Sequence, residues 1–256
     1  MIGVRKIKRL FNWICLLCIL LSGCLFFYQD KQSQADSSDV QKTAPSEILL
    51  ADNQSTSTSL IDVPLENQST GSIPLENGCE VTALSMLLNF YDYGTDKNEL
   101  ADLLNYVPVY ENEAEDIRGN PHEGFVGNIY EGYDAMGVAV EPIAQVAEEI
   151  VGTNQEVVAS SDTSFSELVN LIQAGTPVWV VTTVDFEVPT ASDFMTWQTT
   201  SGEVRVSPLC HAVVVTGVDE DHVYVNDPYG YKNRIVDRQD FEKIYQRMGS
   251  QSLYLS

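Results

Sequence analysis

Beyond Leu60, apolar residues recur first at helical spacing and later at strand spacing. Val81, Leu84, Leu87, Leu88 and Tyr91 predict a helix from Cys79 to Tyr93, closed by Gly94 in a left-handed cap. Lys97 to Asn105 reads as a second helix, with Asp96 and Glu99 forming an Asp-x-x-Glu variant of the capping box. Ser164 and Glu167 make a Ser-x-x-Glu box that opens a helix over Phe165–Ala174, and Gly175 and Pro177 stop it. The continuous apolar run Val178–Val184 predicts a buried strand. His211–Val218 and Val223–Asn226 read as two short strands joined into a hairpin by the acidic turn Asp219-Glu220-Asp221-His222. A last helix over Asp240–Met248 precedes a closing strand, Ser252–Leu255. Helices first and a mainly antiparallel sheet afterwards imply the α+β class. No repeat or low-complexity tract interrupts residues 60–256, which read as one domain.

The first 59 residues have a different character. Arg5, Lys6, Lys8 and Arg9 precede an apolar stretch from Leu10 to Tyr28, and a basic segment before an apolar one is an export signal whose charged end stays in the cytoplasm. Leu21-Ser22-Gly23-Cys24 resembles a bacterial lipobox, which makes Cys24 the candidate for lipidation. The apolar run continues through Leu25-Phe26-Phe27-Tyr28 to about 19 residues, long enough to span a bilayer uncleaved. Segment 1–28 is therefore a lipoprotein signal or a membrane anchor, and both place the rest of the chain on the outer face of the membrane. Residues 29–59, rich in Ser, Gln, Asp and Thr, read as a disordered polar spacer, because they bury too little apolar surface to offset their ordering entropy.

Charge narrows the partners. The net charge is −23, and four of the 14 cations lie in segment 1–28, which has no acid; the remainder carries 10 cations against 37 acids. Such a surface repels nucleic-acid phosphates and anionic headgroups, so no nucleic-acid partner is expected and membrane contact is left to the amino-terminal segment. Of five cysteines, Cys15, Cys18 and Cys24 belong to the apolar segment, leaving Cys79 and Cys210 for the folded part. Three histidines without a close His/Asp/Cys cluster make no catalytic zinc site, and no phosphate-cradling glycine loop or Gly-x-Ser-x-Gly elbow occurs, so no cofactor is expected.

Three residues remain that can carry chemistry together. Asn77-Gly78-Cys79-Glu80 puts a thiol at a helix start behind a glycine turn, and the unpaired N–H groups there favour a thiolate, which predicts a Cys79 that titrates below an ordinary thiol. Leu209-Cys210-His211-Ala212 opens one strand of the hairpin and Asn226-Asp227-Pro228 ends the other. The start of one strand lies beside the end of its neighbour, so His211 and Asp227 can form the base and orienter that a thiol nucleophile needs. A Cys79–Cys210 disulfide is the alternative use of these cysteines in an exported protein, but strand alternation argues against it by turning Cys210 to the opposite face from His211, away from Cys79.

These residues resemble a known family. Val63-Pro64-Leu65-Glu66-Asn67-Gln68 and Asn77-Gly78-Cys79-Glu80-Val81-Thr82-Ala83-Leu84-Ser85-Met86 are similar to the cysteine peptidase family thirty-nine-like domains of Gram-positive bacteria, relatives of the peptidases that trim double-glycine leaders from bacteriocins. Gly119-Asn120-Pro121, Trp197-Gln198-Thr199, His211-Ala212-Val213 and Asn226-Asp227-Pro228 extend the likeness over about residues 62–255. The resemblance implies a papain-like fold, a Cys79–His211–Asp227 triad and a peptide or protein substrate. It also implies an oxyanion-stabilising glutamine before the cysteine, for which Gln68, at a longer spacing than is usual, is the candidate. The reading is an extracytoplasmic, membrane-tethered cysteine peptidase. Its alternatives are a cell-wall peptidoglycan amidase or endopeptidase and a catalytically idle surface binding module.

Overall fold

The computed structural model describes residues 59–256. Segment 1–28 with Cys24, and spacer 29–59 up to its last residue, lie outside the described residues. After an irregular stretch come helices α1 (Cys79–Phe90) and α2 (Lys97–Leu103). Five short strands follow: β1 (Tyr106–Val107), β2 (Tyr110–Asn112), β3 (Ile117–Arg118), β4 (Phe125–Gly127) and β5 (Ala135–Gly137). Helix α3 (Val140–Val151), strand β6 (Val157–Ser160), helix α4 (Phe165–Gln173) and strand β7 (Val178–Thr183) come next. A hairpin of β8 (Met195–Thr199) and β9 (Gly202–Val206) precedes three strands in series, β10 (Cys210–Val218), β11 (His222–Asp227) and β12 (Tyr231–Asp237). Helix α5 (Arg238–Arg247) leads into β13 (Ser252–Leu255).

The main sheet has the order β12-β11-β10-β7-β13-β6, and every neighbouring pair in it is antiparallel. Two small sheets, β1-β4-β5 and β2-β3-β8-β9, each contain one parallel pair. The class is α+β. Alternation along β7 and β10 divides the core. Trp179, Val181, Ala212 and Val214 pack with α1 and α3. Val178, Val180, Val213 and Val215 pack with α4 and α5 on the other face.

Helix α1 is the centre of the first core. It is buried from Cys79 to Leu88 on every side, because α2 and α3 cover what the sheet does not. Each of its buried leucines contributes about 1.5–3 kcal/mol by leaving water. Its start is fixed by crowding. Gly78 has an ordinary φ of −102°, but a Cβ there would lie 2.4 Å from the Leu75 Cβ, so close approach of chain segments, not turn conformation, requires the glycine. The buried Trp179 donates its indole N–H to the Glu80 carbonyl at 3.0 Å and ties the first turn of α1 to β7.

Several element ends differ from the sequence reading for local reasons. Helix α1 stops at Phe90, short of Gly94, because Asp92 takes the left-handed conformation (φ 64°) and Tyr93 N–H turns back to the Leu88 carbonyl. Aspartate is among the few non-glycine residues that tolerate this. Helix α5 begins at Arg238, two residues before Asp240, because Asp237 caps it and accepts from Asp240 N–H at 2.9 Å. Asp96 and Ser164 cap α2 and α4 as the pattern predicts. Helix α3 has no counterpart in the sequence reading. Ala139 gives its start no capping side chain, although Ile143, Val146, Ala147 and Val151 form its core-facing stripe.

Candidate active site

The register of the central hairpin places the first pair. Val214 lies opposite Asn226 in the antiparallel ladder of β10 and β11, so Val213 faces Asp227, and His211 sits two residues further on the same side. His211 Nε2 and Asp227 Oδ1 meet at 2.9 Å, with both side chains almost fully buried. Asp227 also accepts from Tyr229 N–H at 3.0 Å and from Arg234 Nη1 at 2.8 Å. The imidazole is held between rings: Tyr229 stacks on it with centroids 4.9 Å apart and planes at 13°, and Phe186 meets it edge-on. Arg234 lies over the Phe186 ring while it holds Asp227, so the same cation braces two sides of the histidine.

Burial alone pushes the Asp227 carboxyl up, but the hydrogen bond and charge of His211, with Tyr229 and Arg234, outweigh it and hold the group below its usual range. The unfolded chain therefore takes up this proton first as the pH falls. The stability Asp227 contributes above about pH 4 is lost as the pH drops through its lower folded value.

Cys79 occupies the first position of α1 and lines a cavity of about 140 Å³ together with His211, Gln68, Tyr229 and Glu80. Its sulfur is a free thiol. The thiol donates to Glu80 Oε2 at 3.2 Å, and no hydrogen bond joins it to His211. The Cys79 thiol is pushed well up from its ordinary range, by burial first, then by the Glu80 carboxylate and by Cys210; the Ala212 main chain opposes this. This corrects the expectation of a low-titrating thiol. The helix terminus favours negative charge at that position, but burial, and then the carboxylate beside the sulfur, disfavour it more.

Glu80 is the residue the sequence reading passed over. Its side chain is buried, accepting from Cys79 through Oε2 and from Val138 N–H through Oε1 at 3.2 Å. Gly137 makes room for it: the residue has φ +79°, and a Cβ there would lie 2.3 Å from Glu80 Oε1. Burial pushes the Glu80 carboxyl up, only partly offset by its own amide, by Cys79, by Val138 and by His211. Its linkage runs opposite to that of Asp227. The neutral acid is favoured in the fold, and that advantage, present at low pH, is lost as the pH climbs through the raised folded value. The available signal was a lone acid inside the otherwise uncharged run Cys79–Leu88. Tyr229, Phe186 and Arg234 had no comparable signal, since rings and cations on turns and edge strands are common.

Gln68 reaches the same cavity, anchored where its main-chain N–H donates to the Pro228 carbonyl at 2.8 Å. Its Nε2 donates to the Leu75 and Glu76 carbonyls at 3.1 and 2.8 Å, while Oε1 is buried without a partner. Exchanging the amide's ends would set oxygen against two carbonyl oxygens, so the orientation is fixed and both side-chain N–H groups are engaged. Cys210 is a correction. Alternation holds, but α1 packs on the Cys210, Ala212 and Val214 face of β10, so Cys210 lines the cavity with Cys79. His211 reaches that cavity from near the strand's end. The two thiols remain unbridged, and Cys210 too is pushed up, by burial and then by Glu80.

If Glu80 holds the Cys79 proton in place, its charge should be visible in thiol reactivity. Glu80→Gln removes that charge while leaving an acceptor. In the full chain, with Cys210→Ser so that one folded-domain thiol reports, the pH profile of Cys79 alkylation should shift to lower pH. An unmoved profile, or one displaced upward, would show that Glu80 does not control the sulfur.

The Peptidase_C39 like family model matches residues 60–253. The uncharacterized protein YvpB of Bacillus subtilis (strain 168) is 40% identical over 195 residues, spanning 76% of this chain and 75% of that protein. A crystal structure of a C39-like protein from Bacillus anthracis is similar with a TM-score of 0.72 and 33% identity, covering 78% of this chain and 98% of the other. With its α+β fold and a match running through nearly all the described residues, the chain belongs to the Peptidase_C39 like family.

Proposed function

We propose that the protein is a cysteine peptidase in which Cys79 is the nucleophile, His211 its general base and Asp227 the orienter. The observation that carries this reading is the buried His211–Asp227 pair, whose imidazole lines one cavity with a free thiol at a helix start. Because Nε2 faces Asp227, Nδ1 is the nitrogen left to exchange a proton with the sulfur. The S–H turns from Glu80 to Nδ1 as a peptide carbonyl arrives, and the sulfur attacks the carbonyl carbon while the imidazole takes the proton. The imidazolium returns that proton to the leaving amine. Water, deprotonated by the same ring, then cleaves the thioester and frees Cys79. The ionised Asp227 stabilises the imidazolium in both halves. Oxyanion stabilisation by Gln68 requires its amide to exchange one main-chain carbonyl for the substrate oxygen, with the Cys79 N–H at the helix start as the second donor.

In peptide hydrolysis by the full chain, Cys79→Ala should abolish turnover. His211→Ala should lower kcat by about 10²- to 10⁴-fold, and Asp227→Ala by less, with the thermal transition measured for each variant to separate chemistry from folding. The thiol's raised titration favours one competing reading, a catalytically idle binding module. Turnover unchanged by Cys79→Ala, or absent from the parent chain, moves the assignment there.

The reading includes a location. The basic-then-apolar segment 1–28, with its Leu21-Ser22-Gly23-Cys24 sequence, supports a membrane-tethered protein facing outward. The protein should fractionate with membranes, and mass spectrometry of its amino terminus should find either an acylated Cys24 or an intact start. A soluble protein with neither would contradict the tether.

A further inference from the structure

Beside the thiol cavity lies a second one, of about 230 Å³, and Met136 and Cys210 line both. Its size suits one side chain more than a whole ligand, for which pockets of roughly 300–1,000 Å³ are usual. Val138, Val181, Val206 and Met248 give it apolar walls. Its polar character comes from Arg205 and Arg247, from Ser161, Ser207 and Gln251, and from His122, which is paired with Glu141 at 2.9 Å; none of the residues lining it is acidic.

That charge runs against the rest of the molecule. Six of the 14 cations and five of the 37 acids precede residue 59, leaving eight against 32 in the described part. Lys97, Arg118, Lys232, Arg234 and Lys243 each pair with a carboxylate there. Arg238 is turned onto the Asp219 carbonyl and the Phe165 ring. Arg205 and Arg247 have no carboxylate partner among the described residues, and both line this cavity. Each is nonetheless held. Arg205 lies over the Phe194 ring, its Cζ 3.4 Å from the centroid, and its Nη1 donates to the Arg247 carbonyl at 3.3 Å. Arg247 Nη1 donates to the Pro189 carbonyl at 2.5 Å. One of five N–H donors is engaged on each guanidinium, which leaves a fixed pair of cations with donors to spare.

A helix-end role accounts for Arg247, which closes α5, where a cation is favoured. It does not account for Arg205, drawn from β9 to the same place in a protein with acids enough to pair it. We infer that this cavity is a substrate subsite for a carboxylate, in which Arg205 and Arg247 bind the charged end of a peptide residue whose apolar part lies against Val138, Val181 and Met248. The carboxylate is an acidic side chain or the carboxyl terminus of the peptide. The inference deepens the peptidase reading and rests on it for the identity of the ligand as a peptide.

The test uses the full chain carrying Cys79→Ala, so that binding is measured without turnover. Hexapeptides with neutral side chains and amidated ends form the reference set. One comparison set carries glutamate at each position in turn, and another keeps neutral side chains but has a free carboxyl terminus. A member of at least one comparison set should bind about 5- to 10-fold more tightly than its reference, as a two-arginine, partly exposed charge-assisted contact allows. Adding Arg205→Gln and Arg247→Gln should collapse that ratio toward one. Glutamate and free-carboxyl sets that bind no better than the reference, or a preference that survives both substitutions, would overturn the subsite. Hydrolysis of the same peptides by the parent chain is read separately. Cleavage without a carboxylate preference removes the subsite and keeps the peptidase, whereas arginine-dependent binding without cleavage does the reverse.

Discussion

One buried contact organises the site: the hydrogen bond between His211 and Asp227. Two ionisable side chains cannot enter a dry interior unless each satisfies the other, and here three donors converge on a single carboxylate. That requirement reaches outward. It demands the β10–β11 register, which puts the two residues on one face. It recruits Arg234 from β12 and, through that cation, Phe186. The turn after Asp227 supplies Tyr229 as the stacked plate, and the next carbonyl back, at Pro228, holds the main chain of Gln68. The Cys79 thiol is brought to this assembly by independent means, through burial of α1 and the bond from Trp179 to its first turn.

The thiol itself is held in check. A helix start favours a thiolate, but burial, and then the Glu80 carboxylate that accepts the thiol proton, outweigh the dipole. The resting state is thus a neutral thiol beside a neutral or ionised acid, with the imidazole anchored on its far nitrogen. On this account reactivity belongs to the complex with substrate, when the S–H leaves Glu80 for His211, and not to the free protein. The two carboxylates of the site have opposite environments. Asp227 is surrounded by donors that hold its charge, whereas burial makes Glu80 resist charge despite the donors it has.

Much of this was legible in the residues, and the failures have physical causes. Cys79, His211 and Asp227 stood out because their chemistry is rare and the hairpin turn gave their spacing a meaning. Asp96 and Ser164 marked helix starts because capping is a local interaction between near neighbours. Helix α3 escaped because Ala139 offers no such cap, the short strands β1 to β5 because two or three residues carry no periodicity, and β6, β8, β9 and β12 because these largely uncovered strands lack a buried apolar run. Alternation correctly separated Cys210 from His211 along β10. Which face the Cys79 helix would cover is a question of packing between distant elements, and the pattern within one strand does not contain it. The role of Glu80 was hidden for a related reason: an acid near a helix start is usually a surface partner for the dipole, and only the burial of the whole first turn makes it a partner for the thiol.

The central claim is that the Cys79 sulfur forms a covalent bond with the substrate carbonyl. It is tested most directly by acid-quenching the full chain during turnover of a peptide and mapping the trapped species by mass spectrometry. The account predicts a thioester on the Cys79 peptide, with the mass of the amino-side fragment less one water, absent from Cys210 and lost on mild hydroxylamine treatment. Peptide cleavage that proceeds at full rate with no adduct on Cys79, and that survives its alkylation, would contradict it.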